Sequence, residues 1–220
     1  MTATREMLWN LVKARIINQQ RVSTAFDFGK HHYDIGNGLF KNIPDKRLDY
    51  SCGYWKNART LDEAQEAKLN LICRKLKPVK GMCVLDIGCG RGGFVIYAAE
   101  KYDIKVVGIP VSEKQVSLAR EICKGMEIDI RLMDYRNMDE KFDREVSIGM
   151  FEHLGYKNYR FFFKLVWRCL NDEDLFLWYT IGGDQSVVRA DPWIHGYTVP
   201  DSLLPSAFQI IQASKDVFLL

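Results

Sequence analysis

The residues at 84–93, VLDIGCGRGG, place an acid, a cysteine, an arginine and four glycines directly after an apolar run. A turn that brings its backbone against a ligand needs residues without a Cβ. A helix starting behind that turn offers unpaired N–H groups to an electronegative ligand. The pattern therefore predicts a nucleotide-like cofactor at the end of a first parallel strand. Gly88, Gly90 and Gly93 also satisfy the dinucleotide fingerprint, which alone is a weak signal. Glycines at 88, 90 and 92, with Asp86 inside the strand end, favour S-adenosylmethionine. The acid can accept hydrogen bonds or face the cationic methionine end. Cofactor contacts are accordingly expected from Asp86, Gly88, Cys89, Gly90 and Gly92.

Further candidates stand where later strands would end. Pro110 occupies the place after the second strand, where a ribose wants an acid or amide, and it has no side-chain acceptor. Gln115 can reach the diol instead, or be a solvated helix residue. Asp134 can accept from an adenine amino group while Tyr135 stacks; the alternative for Asp134 is a plain turn cap. Glu152 follows an apolar strand end and is flanked by Met150 and Phe151. Such surroundings raise a carboxyl pKa unless a donor is near, and suit proton handling or anion positioning. The structural alternative pairs Glu152 with Arg136 or His153.

The elements that must position these residues alternate. Strands are expected at 83–87, 105–109, 128–133, 144–149 and 175–180, and helices at 94–101, 113–124 and 158–170. Alternation of this kind gives an α/β fold, a mostly parallel sheet with helices on both faces. Ahead of it, Thr60 and Glu63 make a capping box for a helix running to about Leu76, ended by Lys77-Pro78. Residues 5–19 have helical periodicity, packed on the domain or lying on a membrane surface. The stretches 31–40 and 48–55 read as ordered aromatic loops. An irregular stretch from 191 to 205 precedes a short helix. Residues 217–220, VFLL, read as a strand cut short, so the last strands are expected to be missing.

With 220 residues and 47% hydrophobic content the chain can bury one core. We divide it into an N-terminal amphipathic helix at 1–26 and one domain at 27–220. A net charge of +3 permits contact with an anionic surface and does not demand nucleic acid. The six cysteines form no C-x-x-C pair, so buried free thiols in a reducing, cytoplasmic compartment are expected. The four histidines show no metal spacing.

Six phrases carry a family likeness: HYDIGNGLF at 32–40, YSCGYWK at 50–56, TLDEAQEA at 60–67, VLDIGCGRGG at 84–93, SIGMFEHLG at 147–155 and DPWI at 191–194. In these and in their order the chain resembles the cyclopropane-fatty-acyl-phospholipid synthases and the related mycolic acid cyclopropane synthases. The resemblance covers roughly residues 27–220. It implies a Rossmann-like methyltransferase fold. It also implies transfer of the S-adenosylmethionine methyl group to a cis double bond of an unsaturated phospholipid acyl chain, at a membrane surface. Loss of a proton then closes a cyclopropane ring. A bound bicarbonate is implied as the acceptor of that proton, in a cage of Cys52, Glu152, Tyr179 and the backbone at Ile181. Tyr50 and Ser51 join the cofactor-binding set, with the segments at 84–92, 110–115 and 134–135. Tyr33, Phe40 and Trp55 can line the acyl channel or be ordinary core. For some members a homodimer is implied as well.

The chain departs from the family at three points. Tyr179 stands where the family has a histidine of the cage, and Pro110 where it has a threonine. The family's C-terminal part, with further strands and a tyrosine of the cage, is absent. Two alternatives follow: another methyltransferase on the same scaffold, of the amine N-methyltransferase type, or an inactive truncated fragment.

Overall fold

The computed structural model describes residue 18, residues 45–188 and residues 202–218. The helix expected at 5–19 (Asn18 apart), the loop at 31–40 with Tyr33 and Phe40, and the DPWI phrase lie outside them.

Thr60 and Glu63 form the reciprocal cap read from the sequence, and helix α1 (Leu61–Leu76) follows from it. Lys77 ends α1 in a left-handed conformation just before Pro78. Strand and helix then alternate: β1 (Cys83–Ile87), α2 (Gly93–Tyr102), β2 (Lys105–Ile109), α3 (Glu113–Ile122), β3 (Ile128–Ile130), β4 (Phe142–Ile148), α4 (Tyr159–Cys169), β5 (Leu170–Tyr179) and α5 (Ala207–Ser214). The five strands are ordered β3-β2-β1-β4-β5, and every pairing is parallel. Alternate side chains of β1 enter opposite cores. Val84 joins Leu69, Ile72, Phe94, Val95 and Val116 from α1, α2 and α3. Leu85 and Ile87 join Phe162, Phe163, Val166 and Ile210 from α4 and α5. Helices on both faces of a parallel sheet are the architecture expected. The chain departs from β1 toward β2 on one side and β4 on the other, which opens a crevice at the carboxyl ends of these strands.

Element bounds differ from expectation by two residues or more in four places. β3 stops at Ile130 and does not reach Met133. Val106 N–H donates to Glu127 O in the β2–β3 ladder, and the bond two steps further would come from residue 110, a proline without an N–H. β4 starts at Phe142 and β5 at Leu170, both earlier than expected. The run Asn171-Asp172-Glu173-Asp174 reads as a polar loop. It is held in the strand by a register shift between Phe142 and Arg144, with Arg144 paired to Asp174. α3 ends at Ile122, two residues short of Lys124. Val217 and Phe218 form no strand; a turn runs through residue 217, and the Phe218 ring packs 6.2 Å from Phe163 and 5.9 Å from Phe176.

Candidate active site

The turn after β1 is the floor of a cleft of about 660 Å³, part of it open to solvent. Gly88 (φ +93°) is required by packing, since a Cβ there would lie 2.7 Å from Met150 Cβ. Gly90 (φ +57°) is different: no atom lies within 4 Å of a Cβ built on it, so its backbone is bared to the cleft. Cys89 and Arg91 complete the floor, and Gly92 caps α2 without offering a side chain to the first-turn amides. Asp86 forms part of the wall while 1% exposed, and its Oδ1 meets no partner among the described residues. Burial pushes its carboxyl well above the ordinary range; the Asp49 charge adds to this and Lys68 opposes it.

The loop at 48–55 closes one side. Asp45 shapes it, its carboxylate accepting from Asp49 N at 2.9 Å and Arg47 N at 3.1 Å. Asp49 Oδ1 packs against Gly93 at the start of α2, where the helix dipole favours an anion. The carboxyl of Asp49 is nonetheless held above its usual range by burial, with Lys68 pulling the other way. Tyr50 and Ser51 form the next part of the wall. Two α1 side chains hold Ser51: Gln65 Nε2 donates to its carbonyl at 2.8 Å and Lys68 Nζ to its hydroxyl at 2.9 Å.

Gln115 is not a solvated helix residue. It is 3% exposed and stands in the cleft wall, with Oε1 accepting from Val111 N at 3.2 Å. Asp134 and Tyr135 lie away from the cleft lining. Asp134 caps a single 3₁₀ turn and holds the Arg136 guanidinium, with contacts of 2.8 and 2.7 Å. Tyr135 is buried, its ring edge-on to Phe162 at 5.8 Å. The turn-cap alternative is the arrangement Asp134 adopts here.

Beside the cleft, a 3₁₀ turn (Phe151–His153) follows β4. Phe151 anchors it, stacked on Tyr159 at 4.3 Å and close to Phe162, Phe163 and Trp178. That anchor fixes Glu152. Its Oε1 accepts from Ile181 N at 2.6 Å, just past the end of β5. Its Oε2 is buried without a partner among the described residues. Tyr179 O–H donates to Cys52 O at 3.1 Å, tying β5 to the loop. Burial first, then Cys52 and the Glu152 charge, hold the Tyr179 phenol above its ordinary value. Cys52, Glu152, Tyr179 and Ile181 thus meet in two bonded pairs. Ser51, Met150 and His153 of the cleft wall are their sequence neighbours.

Asp49, Met150 and His153 stand in the wall and were not among the cofactor residues expected from sequence. Lys68 was also missed. Its signal was present, a charge one helical turn from Ala64 and one from Ile72, on the buried face of α1. Among the described residues no group of three or more His, Cys, Asp and Glu is placed to hold a metal ion.

The family model described as mycolic acid cyclopropane synthetase matches residues 20–219. The cyclopropane-fatty-acyl-phospholipid synthase of Escherichia coli (strain K12) is 48% identical over 207 residues, which is 94% of this chain and 54% of that protein. The chain spans about half the length of the curated relatives it matches. The structure of the cyclopropane synthase MmaA2 from Mycobacterium tuberculosis superposes with a TM-score of 0.79 at 29% identity, covering 86% of this chain and 73% of that one. The mycolic acid cyclopropane synthase CmaA1, complexed with SAH and CTAB, gives 0.78 at 33% identity over the same shares.

Proposed function

The chain belongs to the mycolic acid cyclopropane synthetase family, and from that premise we propose that it carries the active site of a cyclopropane-fatty-acyl-phospholipid synthase. The reaction transfers the methyl group of S-adenosylmethionine to a cis double bond of an unsaturated phospholipid acyl chain and forms a cyclopropane ring. The observation that carries the reading is Glu152: a buried carboxylate, half satisfied by Ile181 N–H, with its other oxygen awaiting a donor beside the cleft.

The residues present fit the cofactor. Gly90 leaves space that a Cβ would fill, and Asp86 Oδ1 is a buried acceptor suited to an ammonium. Ser51, Gln115 and the backbone at Cys89 complete the set that would hold it. Bicarbonate fits Glu152 Oε2, because that ion has one O–H to donate. The Ile181 amide is already spent on Glu152 and the Tyr179 O–H on Cys52 O, so the Cys52 thiol is the donor left to meet the ion's other oxygens. When bound, S-adenosylmethionine supplies an electrophilic methyl group and bicarbonate a base.

The protein's own part is to orient and to exclude water. An alkene is a weak nucleophile and must be held in line in a dry pocket. Phe151, stacked on Tyr159, anchors the turn that buries Glu152. The setting we propose is the cytoplasmic surface of a membrane, with the protein peripherally bound. Tyr50, Tyr54 and Trp55 stand exposed on the loop that borders the cleft, and such rings suit a lipid headgroup region. No described helix is long and apolar enough to cross a membrane.

The test is incubation of the chain with S-adenosylmethionine and vesicles of cis-monounsaturated phospholipid, followed by mass spectrometry of the acyl chains. The expected result is acyl chains heavier by one methylene with the double bond gone. Methylation of an amine headgroup in place of the acyl chain would overturn the proposal in favour of an N-methyltransferase.

A further inference from the structure

Lys68 lies on α1 with its side chain 3% exposed. Its Nζ is 3.1 Å from Asp49 Oδ2 and 2.9 Å from Ser51 Oγ. An ammonium only donates, so at this contact the serine hydroxyl must accept. The hydroxyl hydrogen is thereby turned away from Lys68, and among the described residues it meets no acceptor. Ser51 is a wall residue of the cleft, and so is Asp86, whose unpartnered Oδ1 is an acceptor. The cleft therefore presents one directed donor and one acceptor. That pair matches a ligand carrying a carboxylate and an ammonium on one carbon, the α-amino-acid end of S-adenosylmethionine.

We propose that Lys68 is a positioning residue for the cofactor: it orients the Ser51 hydroxyl into the cleft to donate to the α-carboxylate. The inference rests on the cofactor reading above. Position and direction have separate causes here. Gln65 already pins the loop by donating to Ser51 O at 2.8 Å, and Tyr54 N–H bonds Ala64 O at 2.9 Å. What Lys68 adds is the direction of the hydroxyl and a positive charge beside Asp49.

The test measures binding of S-adenosylmethionine and of decarboxylated S-adenosylmethionine, which keeps the ammonium and lacks the carboxylate. The full chain is compared with Lys68→Met and Ser51→Ala. Each substitution is expected to weaken S-adenosylmethionine by about tenfold to a hundredfold, the scale of a charge-assisted hydrogen bond. Affinity for the decarboxylated ligand should hold, or rise in Lys68→Met, where the acids lose a competing cation. The double variant should lose no more than either single one, since both act on one bond. Equal weakening of both ligands by Lys68→Met, with Ser51→Ala unchanged, would overturn the inference and leave Lys68 a structural residue. Should Lys68→Met fail to fold, Ser51→Ala alone decides: selective loss upholds the bond, no loss removes it. If the unsubstituted chain binds neither ligand, the cofactor reading itself falls, an outcome distinct from the others.

Discussion

Glu145 sits in the middle of β4, wholly buried, and neither carboxyl oxygen meets a partner among the described residues. Burial pushes its pKa up to about 9 from an ordinary 4.5, with only Lys141 opposing. Between those values the folded protein keeps a proton that the unfolded chain has released. Stability from this group is therefore full below pH 4.5 and is lost as pH rises toward about 9. Each pH unit in that window costs about 1.4 kcal/mol, so the rise from pH 6 to pH 8 costs about 3 kcal/mol. Glu145→Met keeps most of the volume and has nothing to titrate. The assay is urea unfolding followed by circular dichroism at both pH values. The parent should lose about 3 kcal/mol more than the variant between pH 6 and pH 8. Equal losses in the two proteins would refute the reasoning and mean that the carboxyl is hydrated or paired.

Gly90→Val fills the space bared to the cleft and forces a branched residue to positive φ. Binding of S-adenosylhomocysteine should fall below detection in calorimetry, and unchanged affinity would remove the cleft as the cofactor site. Burial raises the pKa of the Asp86 carboxyl, and an ammonium is met by its charged form, so affinity should rise with pH. Asp86→Asn should flatten that rise, and a parent with flat affinity from pH 5 to 9 would contradict the assignment. Tyr179→His restores the residue type that the resemblance implies for the cage and should raise turnover. No change would mean that this position does not limit the reaction.

Much of the fold was legible because its signals are local. β1 and β2 run over the residues expected, short and largely apolar, one stopped by Gly88 and the other by Pro110, and the Thr60–Glu63 spacing marks the start of α1. What failed depended on neighbours that a linear reading does not supply. β3 is cut short by a proline just past the end of β2, and β5 gains four polar residues through a shifted register with β4. The site divides in the same way. Asp86, Gly88 and Gly90 announce themselves within a few residues of one another. Glu152 could be picked out from its apolar flanks, yet the donor that fixes it is 29 residues away in sequence. Asp134 shows the converse: a cap partner two residues on, Arg136, competes with any ligand, and spacing cannot weigh the two. Lys68 was passed over because its partners lie 17 and 19 residues before it, on a loop without periodicity.

The central claim is that this site builds a ring and does not merely add a methyl group. Ring closure removes one hydrogen from the transferred methyl, whereas simple methylation keeps all three. Vesicles of cis-monounsaturated phospholipid, incubated with the chain and S-adenosylmethionine carrying a trideuterated methyl, distinguish the two by mass. Acyl chains that retain two deuterium atoms in a new methylene are expected. Glu152→Gln should lose that product by at least about a hundredfold, with cofactor affinity within a few-fold. Products retaining three deuterium atoms, on an acyl chain or on an amine, would contradict it.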